Sequence, residues 1–412
     1  MISRKEEKNL IVGLDIGTSK VIAIVGEVSQ NSVIEVVGIG SHPSKGLKKG
    51  IVVNIESTVQ SIQHVIEAAE QMAGCRIHSV YTGISGSHIR SLNSHGVTAI
   101  KHREVTQEDV ARVIEAARVV AIPAEKKILH ILPQEFIVDN HEGIYDPVGM
   151  AGVRLEARVH IVTGAVSAAQ NIVKCVQRCG LEVDDIILQQ LASSRAVLTQ
   201  DEKELGVCLM DIGGGTTDLA IFTHGAIKHA AVIPIAGDQV TNDISVAFRM
   251  PTQSAEEVKI NRACCLKKLA QQDERIDVTS IGDRTARILS RYSLAAVVEP
   301  RYEELFEFAQ AEIQRSGLEN SITAGVVLTG GSSKMDGIVE LAEEILNLPV
   351  RLGYPNDVVG LQDVLCNPIY ATAVGLLLFG NENRPVSGPS PISRAGSGSL
   401  WTKMKNWFQG NF

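Results

Sequence analysis

The sequence predicts an α/β protein with two lobes that face each other across a phosphate-binding cleft. Three stretches of the 412 residues carry this prediction. Two are apolar strands that break at an aspartate and a short polar turn and then resume, at residues 10–28 and 205–222; the third is a buried strand that ends in two glycines, within residues 326–338. Asp15 and Asp211 lie 196 residues apart, which indicates an internal duplication with one hairpin in each lobe.

The turn DIGGGTTD, within the second hairpin, has the composition of a phosphate loop. Its glycines adopt dihedrals that side chains forbid and let a ligand approach bare backbone. Successive amide groups in such a turn point the same way, and the threonines add hydroxyl donors. The predicted ligand-binding residues are Gly213, Gly214, Gly215, Thr216 and Thr217. Asp211 would repel phosphate directly, so we expect Mg2+ with its waters between them; a tight hairpin without a ligand is the alternative.

The other two stretches repeat this chemistry. In the first hairpin Asp15 precedes a small polar turn, and the third stretch leads from a strand to a helix, where backbone can again approach a ligand. We predict that Asp15 and Asp211 hold the metal through water. The remaining predicted binding residues are Gly17, Thr18, Ser19 and Lys20 in the first turn, and Gly330, Gly331, Ser332 and Met335 in the third.

The three motifs together resemble the phosphate 1, phosphate 2 and adenosine motifs of the actin, Hsp70 and sugar-kinase superfamily. Within it the chain resembles the FtsA family of bacterial cell-division proteins, from about residue 10 to residue 380 and again at the extreme C-terminus. The stretches concerned are GLDIGTSK, DIGGGTTD, VLTGGSSKMDG, residues 179–198 and 256–265, and PIYATAVGLLLFG at 368–380. The resemblance implies an actin-like ATPase fold, two lobes around a nucleotide cleft, with an inserted αβ subdomain (1C) and a C-terminal amphipathic helix.

Strand pattern and resemblance together divide the chain into lobes and subdomains. The predicted parts are lobe 1 at 1–83 and 163–195, the inserted subdomain 1C at 84–162, lobe 2 at 196–236 and 311–360, subdomain 2B at 237–310, a return helix to lobe 1 at 361–380, a flexible linker at 381–398 and an amphipathic helix at 399–412. Helical spacing predicts a helix at 55–73, Thr106 with Asp109 resembles a capping box, and Pro300 is expected at the start of a helix.

Charge is distributed unevenly along the chain. The net charge is −8, made up of +3 from residue 381 onward and −11 before it. An acidic body argues against nucleic acid as a partner. No apolar run reaches the roughly 18 residues needed to span a bilayer, and no signal peptide is recognisable. The seven cysteines form no CxxC pair, which favours reduced thiols over zinc or disulfides.

The basic tail predicts a membrane contact. Residues 381–399 are rich in Pro, Gly and Ser and suit a flexible linker. In a helix, the apolar side chains of LWTKMKNWFQGNF fall within an arc of roughly 140°. Such a helix suits the membrane interface, with its lysines toward anionic lipid; docking on the protein's own core is the alternative. The residues expected at the membrane are Leu400, Trp401, Lys403, Met404, Lys405, Trp407, Phe408 and Phe412.

The resemblance implies further site residues. Glu256 and Lys259 would hold the ribose and adenine, with Gly237 nearby, and an ordinary surface ion pair is the alternative for the first two. A glutamine that begins the stretch crossing between the lobes, Gln189 or Gln190, would position the attacking water; we assign this tentative catalytic role to Gln190, together with Asp211. The resemblance also implies that Arg301 and Glu304 contact the FtsZ C-terminal peptide.

These expectations combine into one function. The chain would bind ATP and Mg2+, with at most weak ATPase activity, and form homopolymers on the cytoplasmic face of the inner membrane at the division septum. It would tether FtsZ there and help to recruit later divisome membrane proteins. Avid attachment would come from many weak anchors.

Other classes of protein remain open as alternatives. A soluble ATP-dependent small-molecule kinase would need a catalytic carboxylate other than the metal-site aspartates, and it leaves the tail unexplained. A PilM-like scaffold of another membrane assembly would be expected to lack the terminal helix, and an MreB-type filament would lack the insertion. An Hsp70-type chaperone would need a β-domain after residue 380, where too few residues remain.

Overall fold

A computed structural model describes residues 9–383, apart from residues 30, 272 and 279–286. Most of the predicted linker and the whole predicted amphipathic helix, at residues 384–412, therefore lie outside the described residues.

Lobe 1 is built on a six-stranded sheet in the order β11-β6-β1-β2-β3-β19. β1 and β2 form the first predicted hairpin, and β6 runs parallel to β1. The predicted helix at residues 55–73 is α1, which begins after the capping residue Asn54 and packs on β3. The elements up to the insertion are β1 (Leu10–Ile16), β2 (Lys20–Val28), β3 (Ile34–Pro43), β4 (Leu47–Lys48), β5 (Ile51–Val52), α1 (Ile55–Ala73) and β6 (Ser79–Ile84).

The inserted segment forms a separate four-stranded sheet, in the order β7-β10-β8-β9, covered by one helix. The predicted capping box is present, since the Asp109 amide donates to Thr106 Oγ1 and the Thr106 amide donates to the Asp109 carboxylate. Val110, Val113 and Ile114 face the sheet in a core of their own. The elements are β7 (Arg90–Ala99), α2 (Gln107–Arg118), β8 (Lys126–Val138), β9 (His141–Ile144) and β10 (Arg154–Ala165).

Three helices and a strand lead back through lobe 1 toward lobe 2. β11 pairs in parallel with β6, and α4 follows it without a break. The elements are α3 (Val166–Arg178), β11 (Glu182–Leu188), α4 (Gln189–Val197) and α5 (Gln200–Leu205).

Lobe 2 repeats the plan of lobe 1 on a five-stranded sheet in the order β14-β13-β12-β17-β18. β12 and β13 form the second predicted hairpin, and β17 runs parallel to β12 as β6 does to β1. The remaining elements are β12 (Val207–Ile212), β13 (Thr217–Thr223), β14 (Ala226–Ile233), α6 (Gly237–Phe248), α7 (Thr252–Arg262), β15 (Arg275–Val278), β16 (Arg287–Ser290), α8 (Arg291–Ser316), β17 (Val326–Thr329), α9 (Ile338–Leu346), β18 (Val350–Leu352), β19 (Val358–Gly360), α10 (Gln362–Leu365) and α11 (Ala371–Glu382).

The lobes are joined through the packing of α4 against α11. Gly375 lies at their closest approach, where a Cβ would come within 1.8 Å of the Ala192 carbonyl oxygen. Only a residue without a side chain fits there. The two helices therefore pack closely at this glycine.

Three predicted boundaries differ from the structure. The helix expected to start at Pro300 begins nine residues earlier, at Arg291, because Ser290 caps it and Leu294 and Val298 already face the core. Pro300 lies inside α8, where it removes one intrahelical hydrogen bond. The chain returns to the lobe 1 sheet at β19, before residue 361, since this strand pairs with β3. α11 extends to Glu382, slightly into the predicted linker.

Polar side chains of the insert donate to backbone carbonyls of β14, the edge strand of the lobe 2 sheet. Ser91 Oγ donates to Ala230 O at 2.8 Å. Asn93 Nδ2 donates to Lys228 O at 3.2 Å. Gln134 Nε2 donates to the carbonyl of Ile227 at 2.8 Å. The insert therefore contacts both lobes.

Candidate nucleotide-binding site

A cavity of about 430 Å³ lies between the lobes and is lined by all three predicted turns. The two hairpin turns have the same internal bond. Gly17 N donates to Lys20 O at 3.0 Å, and Gly213 N donates to Thr216 O at 2.9 Å. The predicted duplication therefore extends to the backbone of the turns.

The two turns interlock across the cleft. A Cβ on Gly214 would lie 1.8 Å from Ser19 Oγ, and one on Gly215 would lie 2.5 Å from Thr18 Oγ1. Ser19 also donates to Asp238 Oδ1 at 2.9 Å, at the start of α6. The glycines therefore allow lobe 1 side chains to lie directly against lobe 2 backbone.

Three carboxylates line the base of the cleft: Asp211 and Asp218 are buried, and Asp15 is partly buried. Burial raises the pKa of Asp15 to about 7, with repulsion from Asp211 adding to it and a hydrogen bond from Gln189 opposing it. The pKa of Asp218 is raised to about 7, mainly by burial and against a hydrogen bond from Ser85. Burial also raises the pKa of Asp211 above its ordinary range.

This cluster suits a cation held through water. Burying carboxylates without a positive charge is costly. No Lys or Arg ion pair reaches any of the three within the part of the chain that the structure describes. The same residues contain no group of three ligands placed to hold a metal directly. Mg2+ retains several waters in proteins, so contact through water fits these side chains.

Lys259 is the best-connected charged side chain of the cleft and is only 8% exposed. Its Nζ donates to Gly237 O at 3.1 Å, to Thr241 Oγ1 at 2.8 Å and to Glu256 Oε2 at 2.7 Å. Thr241 Oγ1 in turn donates to Glu256. Lys259 and Glu256 therefore do not form an ordinary surface ion pair. Their hydrogen bonds connect α7 to the beginning of α6 beside the cavity.

The third turn closes the lobe 2 side of the cleft. Ser332 Oγ donates to Gly213 O at 2.8 Å, and the buried Tyr302 hydroxyl donates to Ser332 O at 3.1 Å. Gly330 has φ of 84°, and a Cβ there would lie 2.4 Å from Asp211 Oδ1. Glycine is required at this position both by its dihedral and by the approach of the carboxylate.

The structure corrects the choice between the two glutamines. Gln190 is fully buried, donates to Ala231 O at 3.4 Å and is not among the residues that line the cavity, so it is not placed for the catalytic role assigned to it. Gln189 lines the cavity and donates to Asp15 Oδ1 at 2.9 Å. Neighbouring residues at the start of α4 point in different directions, and only the structure tells which one faces the cleft.

Two more predicted binding residues do not line the cavity. Thr217 is fully buried, and its hydroxyl donates to Ile235 O at 2.8 Å, so it belongs to the sheet rather than to the turn. Gly237 lies behind the wall, with its carbonyl bound to Lys259. The predicted residues that do line the cavity are Gly17, Thr18, Ser19, Lys20, Gly213, Gly214, Gly215, Thr216, Glu256, Lys259, Gly330, Gly331, Ser332 and Met335, with the aspartates Asp15 and Asp211.

Two functional candidates were missed from the sequence. Asp218 closes the DIGGGTTD motif and lines the cavity, and its position as the second aspartate of that motif was an available signal. Ser85, at the root of the insert, donates to Asp218 Oδ1. Nothing in the sequence around Ser85 marks this contact, which joins residues 133 positions apart.

The predicted peptide-contact residues lie away from the cleft on α8. Arg301 Nε and Nη2 donate to Asp243 at 2.6 and 3.1 Å, and Arg301 Nη1 donates to Glu304. The Arg301 side chain is 28% exposed and is held by α6 in one orientation.

The predicted membrane residues, Leu400 to Phe412, lie outside the described residues. Among the helices that the structure does describe, none has the length and apolar composition needed to cross a membrane.

Comparison with known proteins identifies the family to which the chain belongs. The family model described as cell division protein FtsA matches residues 208–375, and that of the SHS2 domain inserted in FtsA matches 86–163. The chain is 64% identical over 409 residues to cell division protein FtsA of Pseudomonas aeruginosa, covering 98% of each. Identity to the Escherichia coli K12 protein of that name is 44% over 416 residues, covering 98% of this chain and 99% of the other.

Solved structures of lower identity share the fold. A PilM-PilN type IV pilus biogenesis complex matches with a TM-score of 0.66 at 19% identity, covering 90% of this chain and 98% of that one. MreB5 of Spiroplasma citri bound to AMPPNP matches with a TM-score of 0.56 at 15% identity, covering 91% and 96%. The protein has an actin-like ATPase fold with an inserted SHS2 domain. This fold, with its cleft between the lobes, suggests nucleotide binding. The chain belongs to the FtsA family of cell division proteins.

Proposed function

We propose that this chain is an ATP-binding protein that polymerises on the cytoplasmic face of the inner membrane at the division septum. It tethers FtsZ filaments there and helps to recruit later divisome membrane proteins. The observation that carries the proposal is the cleft, whose lining includes matching phosphate turns from both lobes. Family membership supports the role in division, and the tail composition supports the membrane contact.

The cleft residues would divide the work of binding ATP. Gly17 and Gly214 line the space that phosphates would fill, and the Thr18 hydroxyl, which accepts a hydrogen bond from the Gly50 amide, would add a donor. Lys259 and Glu256 lie on the side expected for the ribose and adenine. Mg2+ would supply the positive charge that lets phosphates approach the carboxylates. Asp15 and Asp211 are the residues that would hold this ion through water.

Hydrolysis would depend on residues beside Asp15. Gln189 is placed to orient a water, because its amide already donates to Asp15 and one face of it borders the cavity. Asp211 is held by Thr372 at 2.9 Å, which keeps its carboxylate in one orientation. The activity we propose is at most weak.

Closure of the cleft would link ATP to assembly. Both turns must reach the same phosphates, so a bound triphosphate favours the closed arrangement of the lobes. Protomers in that state would associate head to tail, a contact that does not close on itself and gives filaments. Each protomer would add one weak amphipathic anchor, so that polymerisation turns weak binding into avid attachment.

Vesicle flotation tests the membrane part of the proposal. With ATP and Mg2+, we expect the full chain to float with phosphatidylglycerol vesicles and a chain ending at Gly398 to remain in solution. Replacing both Trp401 and Trp407 by Glu should abolish flotation, because it places charges on the apolar face.

The matched control carries the same added charge on the polar face, as Thr402→Glu with Asn406→Glu, and is expected to retain most of its binding. Equal flotation of the two double variants, or of the full and shortened chains, would show that residues 399–412 are not the anchor.

Recruitment of FtsZ is tested on α8. We expect Arg301→Glu to weaken binding of a labelled FtsZ C-terminal peptide at least 10-fold, about 1.4 kcal/mol, because Asp243 holds the guanidinium in place for a partner. The measurement is fluorescence anisotropy, with Arg275→Glu on β15 as a charge-matched control. If both variants bind the peptide equally well, the assignment of Arg301 to this contact is wrong.

A further inference from the structure

The insert contacts one hairpin of lobe 2, formed by β13 and β14, from its turn toward the nucleotide cleft. The turn of this hairpin lies at residues 224–225. Side chains of the insert donate to its backbone carbonyls in the order Tyr145 to His224, Gln134 to Ile227, Asn93 to Lys228 and Ser91 to Ala230. The insert is therefore attached to lobe 2 by a row of bonds that approaches the cleft.

The next contact in this row lies in the cleft itself. Asp218 on β13 pairs with Val232 of β14, two residues beyond Ala230. The Ser85 hydroxyl donates to Asp218 Oδ1, and Thr216 Oγ1 donates to Asp218 Oδ2 at 3.2 Å. Asp218 lines the cavity, whereas Ser85 is only 2% exposed and lies behind its wall. One carboxylate is thus held both by the root of the insert and by the second phosphate turn.

The root of the insert also touches the first phosphate turn, through Gly50. This glycine lies in the turn between β4 and β5 with φ of 75°, and its amide donates to Thr18 Oγ1 at 3.0 Å. A Cβ on Gly50 would lie 3.1 Å from the Ser85 carbonyl carbon and 3.1 Å from Gly86 Cα. Ser85 and Gly86 therefore pack against a residue that binds the first turn directly.

The bond from Ser85 restrains a carboxylate that its neighbours repel. The charges of Asp211 and Asp15 act against that of Asp218, and the two hydroxyl donors oppose this repulsion. Hydrogen bonds to an ionised acceptor are stronger than those between neutral groups. Moving the insert away from β14 would draw Ser85 away from Asp218, so the carboxylate keeps this restraint only while the insert is attached.

We propose that Ser85 positions Asp218 for nucleotide binding, so that attachment of the insert to lobe 2 is part of the nucleotide site. Nucleotide in the cleft then favours the attached insert, and loosening the insert weakens nucleotide binding, because coupling between two sites is reciprocal. Ser85 itself does not touch the nucleotide. This coupling rests on the proposed function only in taking ATP with Mg2+ as the ligand of the cleft.

The first test removes the donor. Ser85→Ala should weaken binding of a fluorescent ATP analogue in the presence of Mg2+ at least five-fold, because Asp218 loses one of its two hydroxyl donors. Ser87→Ala makes the same chemical change at an exposed position of the same loop and should leave the affinity unchanged. Equal affinities of the two variants overturn the positioning role.

A double-mutant cycle shows whether Ser85 acts through Asp218. Asp218→Ala removes the acceptor, so adding Ser85→Ala to it should change the affinity by less than 1.5-fold, whatever Asp218→Ala does alone. A merely structural role of Ser85 predicts the opposite, since its full effect would then persist without the acceptor. Persistence of the full effect overturns the proposal.

Two serines of β7 separate attachment of the insert from the stability of the insert. Ser91 donates to Ala230 O in lobe 2, whereas Ser94 donates to Ala117 O within the insert at 2.7 Å. Ser91→Ala should weaken binding of the ATP analogue at least two-fold, and Ser94→Ala should not. If both variants bind it with the same affinity, attachment of the insert is not coupled to the cleft.

Hydrogen exchange on the full chain measures the coupling in the other direction. ATP with Mg2+ should slow exchange across residues 85–93 at least three-fold in the unaltered chain. In Ser85→Ala, at saturating nucleotide, this slowing should disappear while slowing across residues 211–218 remains. Unchanged exchange at residues 85–93 in an unaltered chain that binds ATP overturns the coupling and leaves the proposed function standing. If the unaltered chain binds no ATP, both are overturned.

Discussion

Replacing Gly214 by valine is expected to lower ATP affinity at least 100-fold, about 2.7 kcal/mol. The new Cβ would lie 1.8 Å from Ser19 Oγ and 2.8 Å from Ser19 Cβ, so the two phosphate turns must move apart. Both turns are proposed to grip the same phosphates, and a displaced turn loses its backbone contacts with them. Titration with a fluorescent ATP analogue in the presence of Mg2+ measures the change.

A second substitution shows whether the contact between the turns is the cause. Ser19→Gly removes the side chain that the introduced valine would meet, so the double variant should bind ATP better than Gly214→Val alone. Ser19→Gly by itself provides the reference. An affinity within three-fold of the unaltered chain for Gly214→Val would contradict the interlocked arrangement of the turns.

The largest effect on stability is expected for Gly375→Val. A Cβ at this position would lie 1.8 Å from the Ala192 carbonyl oxygen and 2.3 Å from its carbon, and a helix backbone cannot rotate out of the way as a side chain can. Overpacking commonly costs about 1–3 kcal/mol, and a contact with backbone belongs at or above the upper end. We expect a loss of about 3 kcal/mol or more in the free energy of unfolding, measured by urea denaturation followed by circular dichroism.

Asn381→Val, on the same helix but half-exposed, is the control and should change the free energy of unfolding by less than about 1 kcal/mol. Unfolding midpoints that do not differ between the two variants would mean that α4 and α11 are not in the close contact described.

The hairpins and the insert could be predicted because their signals are local. A strand, an aspartate and a small polar turn identify a hairpin from about 20 neighbouring residues, and Gly213 and Gly214 need no distant partner to favour a turn. The cap of α2 is equally local, since Thr106 and Asp109 are three residues apart. Such local features form in the same way whatever the rest of the chain does.

Contacts between distant segments could not be predicted in the same way. Gln189 and Gln190 are chemically identical, and only the orientation of α4 relative to Asp15 distinguishes them. The bond from Ser85 to Asp218 depends on where the insert joins lobe 1. The start of α8 was misjudged because burial of Leu294 and the cap at Ser290 outweigh the preference of proline for a first turn.

The contacts between the insert and β14 predict an unequal tolerance to mutation. Ser91, Asn93 and Gln134 donate from their side chains, whereas the acceptors on β14 are all backbone carbonyls. A change of side chain at 227–230 leaves those acceptors in place, while a change at a donor removes a bond. These bonds therefore restrict side chains on the insert side and none on β14, where burial of Ile227 and Ala230 sets the limit on variation instead. One insert can accordingly be matched to β14 strands that differ at the less buried positions.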